Sequence, residues 1–229
     1  MTASGNEQGW GAAMAGRDVA IGALGLAGDL RLPQDPKALI VFAHGSGSSR
    51  RSPRNRAVAE GFNRRGMATL LFDLLTPDEE SDRINVFDIG LLAERLVAVV
   101  AWIDGQADIA RLPLGFFGAS TGAAAALAAA ARVGPRVGAV VSRGGRPDLA
   151  AAALAKVRAP VLLIVGGADE GVIELNEDAL AQLAGRKALE IVPGATHLFP
   201  EPGALARVVE LAADWFEANL AAPPHMRGV

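Results

Sequence analysis

The amino-acid sequence predicts an α/β fold, built as one doubly wound and mostly parallel sheet with helices on both faces. Runs that are apolar throughout recur along the chain, which suits strands buried on both faces of a sheet. These runs lie at 38–43, 68–75, 112–118, 137–142, 160–167 and 188–194. Segments with helical spacing separate them, and no internal linker marks a second domain. We therefore expect one domain over 17–220, a loose leader at 1–16 and a loose tail at 221–229.

The other elements follow from local patterns. The stretch 18–33 predicts a glycine-turned antiparallel hairpin at the sheet edge. Ser52 followed by Pro53 is typical of a helix start. Two further helices are predicted by apolar faces, which comprise Phe87, Leu91, Leu92, Leu96, Val99, Val100 and Ile103 in one and Leu205, Val208, Val209, Ala212, Trp215 and Phe216 in the other.

One uncharged segment raises the question of a membrane span. The twenty residues between Arg111 and Arg132 carry no charge, which is long enough to cross a bilayer. A polar corner at 118–122 interrupts the segment, and alanine anchors a helix in lipid only weakly. We therefore predict a central strand that turns sharply into a buried helix from Thr121 to Ala131, stopped by Gly134 and a following proline.

Composition limits the classes of function. Of the 229 residues, 51% are hydrophobic and 21% are charged, which allows a large core. The net charge of -3 gives no reason to expect a nucleic-acid partner. The absence of cysteine excludes disulfides, thiolate metal sites and a cysteine nucleophile. The N-terminus lacks the pattern of a signal peptide, so we expect a cytoplasmic protein with a small-molecule substrate, whose oligomeric state stays open.

The corner at 118–122 fits the pattern G-x-S-x-G between a strand and a helix, as a nucleophile elbow requires. Ser120 is therefore the candidate nucleophile. A serine needs a base and an acid to activate it. Of the three histidines, His225 lies in the tail and His44 ends a strand, where a ring usually packs under a loop. His197 lies on a loop after the last strand and is the candidate base.

Three aspartates follow strands, and chain order separates them. In this architecture the order is Ser, then Asp, then His. Asp73 comes too early, and Asp148 follows an earlier strand than expected. Asp169 directly follows the run at 160–167, so we predict a triad of Ser120, Asp169 and His197.

The glycine-rich loop HGSGSS at 44–49 follows the first long parallel strand and can face the serine. We expect the oxyanion hole to consist of the backbone N–H groups of Ser46 and Thr121. The loop lacks the Gly-Lys-Ser/Thr of a P-loop and the last glycine of the dinucleotide fingerprint, which disfavours both nucleotide interpretations.

On the motifs HGSGSS, GASTG, GGADE and PGATHLF, the chain resembles the α/β-hydrolase superfamily from about Val19 to Leu220. Within it, the chain is similar to the dienelactone-hydrolase-like group. The resemblance implies an esterase-like hydrolase with the predicted triad and with neither metal nor cofactor. Dienelactone hydrolases proper have a cysteine nucleophile where this chain has Ser120. We therefore expect a carboxylic ester or a related acyl compound as substrate rather than a dienelactone.

The alternatives at this stage are a thioesterase, amidase or perhydrolase with the same triad, and a catalytically silent binding module. Between Ser142 and Pro160 there is room for a loop and one short helix. We therefore expect an α/β-hydrolase fold with no large lid and a site open to small soluble esters. The acidic loop at 76–85 is interpreted as a solvated rim.

Basic residues stand near the predicted site. Arg143 and Arg146 follow a strand at the sheet edge where α/β proteins bind ligands. A basic run at 50–56 begins beside the glycine-rich loop. Arg143 and Arg146 are candidate substrate-binding residues for an anionic ester. The alternative is that Arg146 pairs with Asp148 and that the basic run is solvated.

Overall fold

A computed structural model describes residues 14–220, which form one eight-stranded sheet flanked by helices. The strands are β1 (Met14–Ile21), β2 (Leu26–Pro33), β3 (Leu39–Ala43), β4 (Ala68–Phe72), β5 (Leu114–Ala119), β6 (Val137–Arg143), β7 (Val161–Gly166) and β8 (Lys187–Val192). The helices are α1 (Pro53–Arg64), α2 (Pro77–Glu80), α3 (Arg83–Phe87), α4 (Ile89–Asp104), α5 (Thr121–Val133), α6 (Ala151–Leu154), α7 (Glu170–Gln182) and α8 (Ala204–Asn219). Short 3-10 helices span Gly134–Arg136 and Pro147–Ala150.

The sheet order is β1-β2-β4-β3-β5-β6-β7-β8. The pairs β1–β2 and β2–β4 are antiparallel, and all pairs from β4 to β8 are parallel. The predicted edge hairpin and the mostly parallel sheet are thus confirmed. The predicted tail and most of the predicted leader lie outside the described residues, but β1 begins at Met14 because residues 14–16 pair with 31–33.

One predicted strand differs from expectation. The run at 188–194 was predicted to be buried on both faces, yet β8 is largely half-exposed. It lies at the end of the sheet order and pairs with β7 alone. Lys187 and Glu190 therefore lie on an edge strand, where charge discourages pairing with another chain.

The two faces of the sheet carry separate apolar cores. On one face the buried residues come from α4, α5 and α7, and on the other from α1 and α8. In α5, every residue from Thr121 to Ala130 is buried, because the alanine side chains let the helix pack closely against its neighbours. Among residues 14–220, no helix has both the length and the hydropathy to cross a bilayer.

The β5–α5 corner is fixed by close backbone contacts. A Cβ at Gly118 would lie 2.4 Å from the Cα of Ala123, and one at Gly122 would lie 2.2 Å from the carbonyl oxygen of Ala43. Only glycine fits at either place, since the opposing atoms are backbone. The end of β3 and the start of α5 are therefore held in direct contact, with the corner between them.

We expect Gly122→Ala to lower the free energy of unfolding by about 1–3 kcal/mol, because the new methyl group overpacks against two carbonyl oxygens. Those oxygens belong to Ala43 and His44, at 2.2 and 2.3 Å. Denaturant unfolding measures the change. Gly171→Ala is the matched control, since its Cβ meets open space within α7 and alanine favours a helix. Equal stability of Gly122→Ala and the wild-type chain would contradict the packing described.

Candidate active site

Ser120 lies at the corner with a backbone that few residues adopt. Its φ is 52° and its ψ is -124°, in a region that disfavours residues with a side chain. Three hydrogen bonds hold it there: the Ser120 N–H donates to the carbonyl of Arg143, and the Ser120 carbonyl accepts from the N–H groups of Ala123 and Arg146. Strain held in this way is typical of a nucleophile elbow.

The glycine-rich loop after β3 packs directly on this serine. A Cβ at Gly45 would lie 2.9 Å from the Cβ of Ser120. The backbone of the loop is therefore in direct contact with the side chain of Ser120. The first turn of α5 points its free N–H groups and the positive end of its dipole toward the same place.

His197 and Asp169 come together as the sequence predicts. The Nδ1 atom of His197 lies 2.7 Å from Oδ2 of Asp169, with both side chains partly buried. Asp169 follows β7 and precedes α7, while His197 lies in the loop between β8 and α8. The two loops are joined because the Ala168 N–H donates to the carbonyl of Ala195, and a Cβ at Gly166 would meet that same carbonyl at 2.3 Å.

The loop after β6 connects the two halves of the site. A Cβ at Gly144 would lie 3.0 Å from the carbonyl oxygen and 3.6 Å from Cε1 of His197. The backbone carbonyl of the preceding residue, Arg143, accepts a hydrogen bond from the N–H of Ser120. The imidazole and the serine therefore contact consecutive residues at the carboxyl end of β6.

The rival aspartates have other partners. Asp73 accepts hydrogen bonds from the backbone and side chain of Arg50. Asp148 accepts from Nε and Nη2 of Arg146, at 2.9 and 2.7 Å. These hydrogen bonds lower the pKa of Asp148 below its usual value. Both carboxylates thus act in ion pairs, and the hydrogen bonds that hold them come from arginines rather than from a histidine.

His44 has a packing role, as predicted. Its Nδ1 donates to the carbonyl of Gly45 and its Nε2 accepts from the N–H of Leu74, at 3.0 and 3.1 Å. Burial lowers the pKa of His44, which keeps the ring neutral and fits this pair of bonds. His225 lies outside the described residues.

The predicted oxyanion donors lie beside each other, with one feature that the sequence did not reveal. The N–H of Ser46 donates to the hydroxyl of Thr121 at 2.9 Å. As the first residue of α5, Thr121 has an N–H without an acceptor inside the helix. The Ser46 amide is thus engaged by the threonine side chain rather than free. A threonine directly after the nucleophile was the available signal for this bond.

An open cleft surrounds the serine. It is lined by Gly45, Ser46, Gly47, Ser48, Ser49, Arg51, Ser52, Pro53, Arg54, Asn55, Glu80, Ala119, Ser120, Arg143 and Leu198. No group of histidine, aspartate and glutamate side chains within residues 14–220 is placed to hold a metal ion. The segment at 76–85, predicted as a solvated loop, instead holds α2 and the start of α3, and Glu80 at the end of α2 lines the cleft.

The two candidate substrate arginines have different surroundings. Arg146 pairs with Asp148 through two nitrogens. Arg143 lines the cleft, is 6% exposed, and has no hydrogen-bond partner at Nε or Nη1. The sequence interpretation that Arg146 pairs with Asp148 is therefore confirmed, and Arg143 remains the candidate for substrate binding.

Comparison with known proteins places this site in a family context. The model of the dienelactone hydrolase family matches residues 27–220. The crystal structure of a dienelactone hydrolase from Anabaena variabilis is 54% identical, with a TM-score of 0.86 over 90% of this chain and 98% of that chain. Est1E from Butyrivibrio proteoclasticus shares the fold at 18% identity, with a TM-score of 0.74 over 89% of this chain and 98% of that chain.

A Mycobacterium tuberculosis protein whose name proposes a phosphoribosyl transferase is 59% identical over 205 residues. The match covers 90% of this chain and 46% of that protein. This chain thus spans about half the length of that curated relative. The name describes the longer protein.

Because strain at Ser120 comes from its positive φ, we expect Ser120→Gly to be more stable than Ser120→Ala by roughly 1 kcal/mol. Both variants lack the hydroxyl, so the difference in free energy of unfolding reports the backbone. Ala119→Gly, one residue earlier in β5, is the control and should be destabilising. A Ser120→Ala variant as stable as Ser120→Gly would show that the corner is not strained.

Proposed function

Since this chain belongs to the dienelactone hydrolase family, we propose that it is a serine hydrolase that cleaves small soluble carboxylic esters through an acyl-enzyme at Ser120. The observation that carries this proposal is the 2.7 Å contact between Nδ1 of His197 and Oδ2 of Asp169. The loop of His197 packs against Gly144, and the carbonyl of the preceding Arg143 accepts the Ser120 N–H. A histidine base that is oriented by a carboxylate is what activates a serine hydroxyl as a nucleophile.

In the first step, the Oγ of Ser120 attacks the ester carbonyl while Nε2 of His197 takes its proton. Asp169 accepts from Nδ1–H, which fixes the tautomer that leaves Nε2 free to act as the base. The carboxylate also stabilises the imidazolium that forms. The proton then passes from His197 to the leaving alcohol as the acyl-enzyme is produced.

The negative charge of the tetrahedral intermediate is stabilised by the N–H groups of Thr121 and Ser46 in this proposal. The Ser46 N–H must first exchange the Thr121 hydroxyl for the substrate oxygen. The positive end of α5 adds to the stabilisation.

In the second step, His197 removes a proton from water, the hydroxide attacks the acyl carbonyl, and the proton returns to Ser120 as the acid leaves. The segment between β6 and β7 holds a 3-10 helix and the four residues of α6. It contains no lid domain, which supports a preference for small soluble esters. Thioesters, amides and peracid formation are the rival acyl chemistries.

We expect Ser120→Ala to lower kcat/KM for a soluble short-chain aryl ester by at least about a thousandfold, because the nucleophile is lost. Asp169→Asn should lower kcat by about a hundredfold to ten-thousandfold, since it favours the wrong tautomer. Release of the aryl alcohol measures both rates. Ser81→Ala, an exposed serine whose hydroxyl donates to the carbonyl of Asp78, is the control.

Retention of a tenth of the activity by Ser120→Ala would exclude Ser120 as the nucleophile. The wild-type chain could instead cleave no ester and rapidly cleave a matched thioester or amide. In that case the thioester or amide replaces the ester as the proposed substrate class. A wild-type chain inactive on all three would favour a silent binding module.

A further inference from the structure

Arg143 is a buried cation that forms no ion pair with any carboxylate of residues 14–220. Its side chain ends β6, is 6% exposed, and has no hydrogen-bond partner at Nε or Nη1. Two half-buried arginines differ from it: Arg50 pairs with Asp73, and Arg95 pairs with Glu79. Burial of a charged group without a partner costs free energy. A buried charge of this kind is therefore typical of a site where a bound ligand supplies the partner.

The guanidinium stays charged in this environment. Burial and the nearby charge of Arg54 lower the pKa of Arg143 to about 10. The group is therefore a cation at neutral pH. The nearby charge that acts on it, Arg54, is also positive.

The surroundings hold this side chain at the cleft. Its guanidinium carbon lies 6.0 Å from the ring centre of Phe199, a cation–π contact. Phe199 is 2% exposed and has a φ of 56°, an unusual conformation for an aromatic residue. Nε and Nη1 are sealed from solvent, which leaves Nη2 as the nitrogen that meets the cleft.

The cleft around Ser120 has an excess of positive charge. Arg51, Arg54 and Arg143 line it, with Glu80 as the carboxylate among the lining residues. Arg51 and Arg54 are exposed and act at long range. Arg143 is buried, so its interaction with an anion is screened less by water and salt.

We propose that Arg143 anchors an anion subsite beside Ser120, which takes a carboxylate or phosphate group carried by the ester that the enzyme cleaves. The proposal rests on the proposed function and names its substrate class. The anion supplies the missing acceptor for the guanidinium. Exposed arginines at the mouth of the cleft raise the local concentration of such a substrate.

The test uses three nitrophenyl esters with the same acyl chain, which ends in a carboxylate, a phosphonate or a neutral primary amide. We expect the wild-type chain to prefer one of the anionic esters over the amide by about tenfold to a hundredfold in kcat/KM. Comparison of the carboxylate and the phosphonate shows which anion the subsite takes.

Variants assign the preference to one residue. In Arg143→Gln, the ratio of kcat/KM for the anionic and neutral esters should fall to about one. Arg143→Lys keeps a charge but loses the planar guanidinium, so we expect an intermediate ratio. Arg146→Gln, three residues along and paired with Asp148, is the matched control and should keep the wild-type ratio. Added salt should lower the wild-type ratio of kcat/KM for the anionic and neutral esters only in part. Salt screens the exposed Arg51 and Arg54 more than the buried Arg143.

A binding measurement separates this proposal from the hydrolase assignment. Sodium adipate or inorganic phosphate, compared with sodium chloride at equal ionic strength, should raise the Tm of Ser120→Ala and not that of the double variant with Arg143→Gln. If no ester is cleaved but this shift is seen, the subsite stands and the proposed function fails. If anionic and neutral esters are cleaved equally, or the preference survives Arg143→Gln, the subsite is wrong. An equal loss of all activities with lower stability would make Arg143 structural.

Discussion

The strained backbone at Ser120 is the constraint on which the rest of the site depends. A residue with a side chain and a φ of 52° persists because Gly45, Gly118 and Gly122 let backbone approach from three sides. Three hydrogen bonds to its own N–H and carbonyl then fix it. A side chain at any of these three glycines would clash with neighbouring atoms of the corner. The result is a serine presented at the N-terminus of a buried helix, in the field of its dipole.

The carboxyl end of β6 links this corner to the rest of the cleft. The carbonyl of Arg143 accepts the Ser120 N–H, Gly144 packs against His197, and Arg146 donates its N–H to the Ser120 carbonyl. One strand end thus positions Ser120, the proposed nucleophile, by its backbone and presents a buried cation by a side chain. A shift of this segment would change the serine, the imidazole loop and the guanidinium together. The proposed substrate binding and the proposed acyl transfer would therefore both depend on the position of the carboxyl end of β6.

Sequence patterns predicted the sheet, the glycine corner and the contact between His197 and Asp169, and the signals were apolar runs, glycine spacing and chain order. The pairing of His197 with Asp169 was predicted from the chain order Ser, Asp, His and from the place of Asp169 directly after a buried strand. Other features depend on contacts between distant segments. The exposure of β8 follows from its place at the end of the sheet, and the different surroundings of Arg143 and Arg146 depend on which carboxylate lies near. The hydroxyl of Thr121 on the Ser46 amide joins residues 75 positions apart.

Covalent labelling with a fluorophosphonate tests the central claim most directly, since the reagent reacts with a serine that is activated by its surroundings. Mass spectrometry of the intact and digested protein locates the adduct. We predict one adduct, on Ser120, that forms rapidly in the native chain, slowly in Asp169→Asn and not after denaturation. An adduct on another serine, or no adduct on the folded protein, would contradict the claim that the corner and the His197–Asp169 pair form one nucleophilic site.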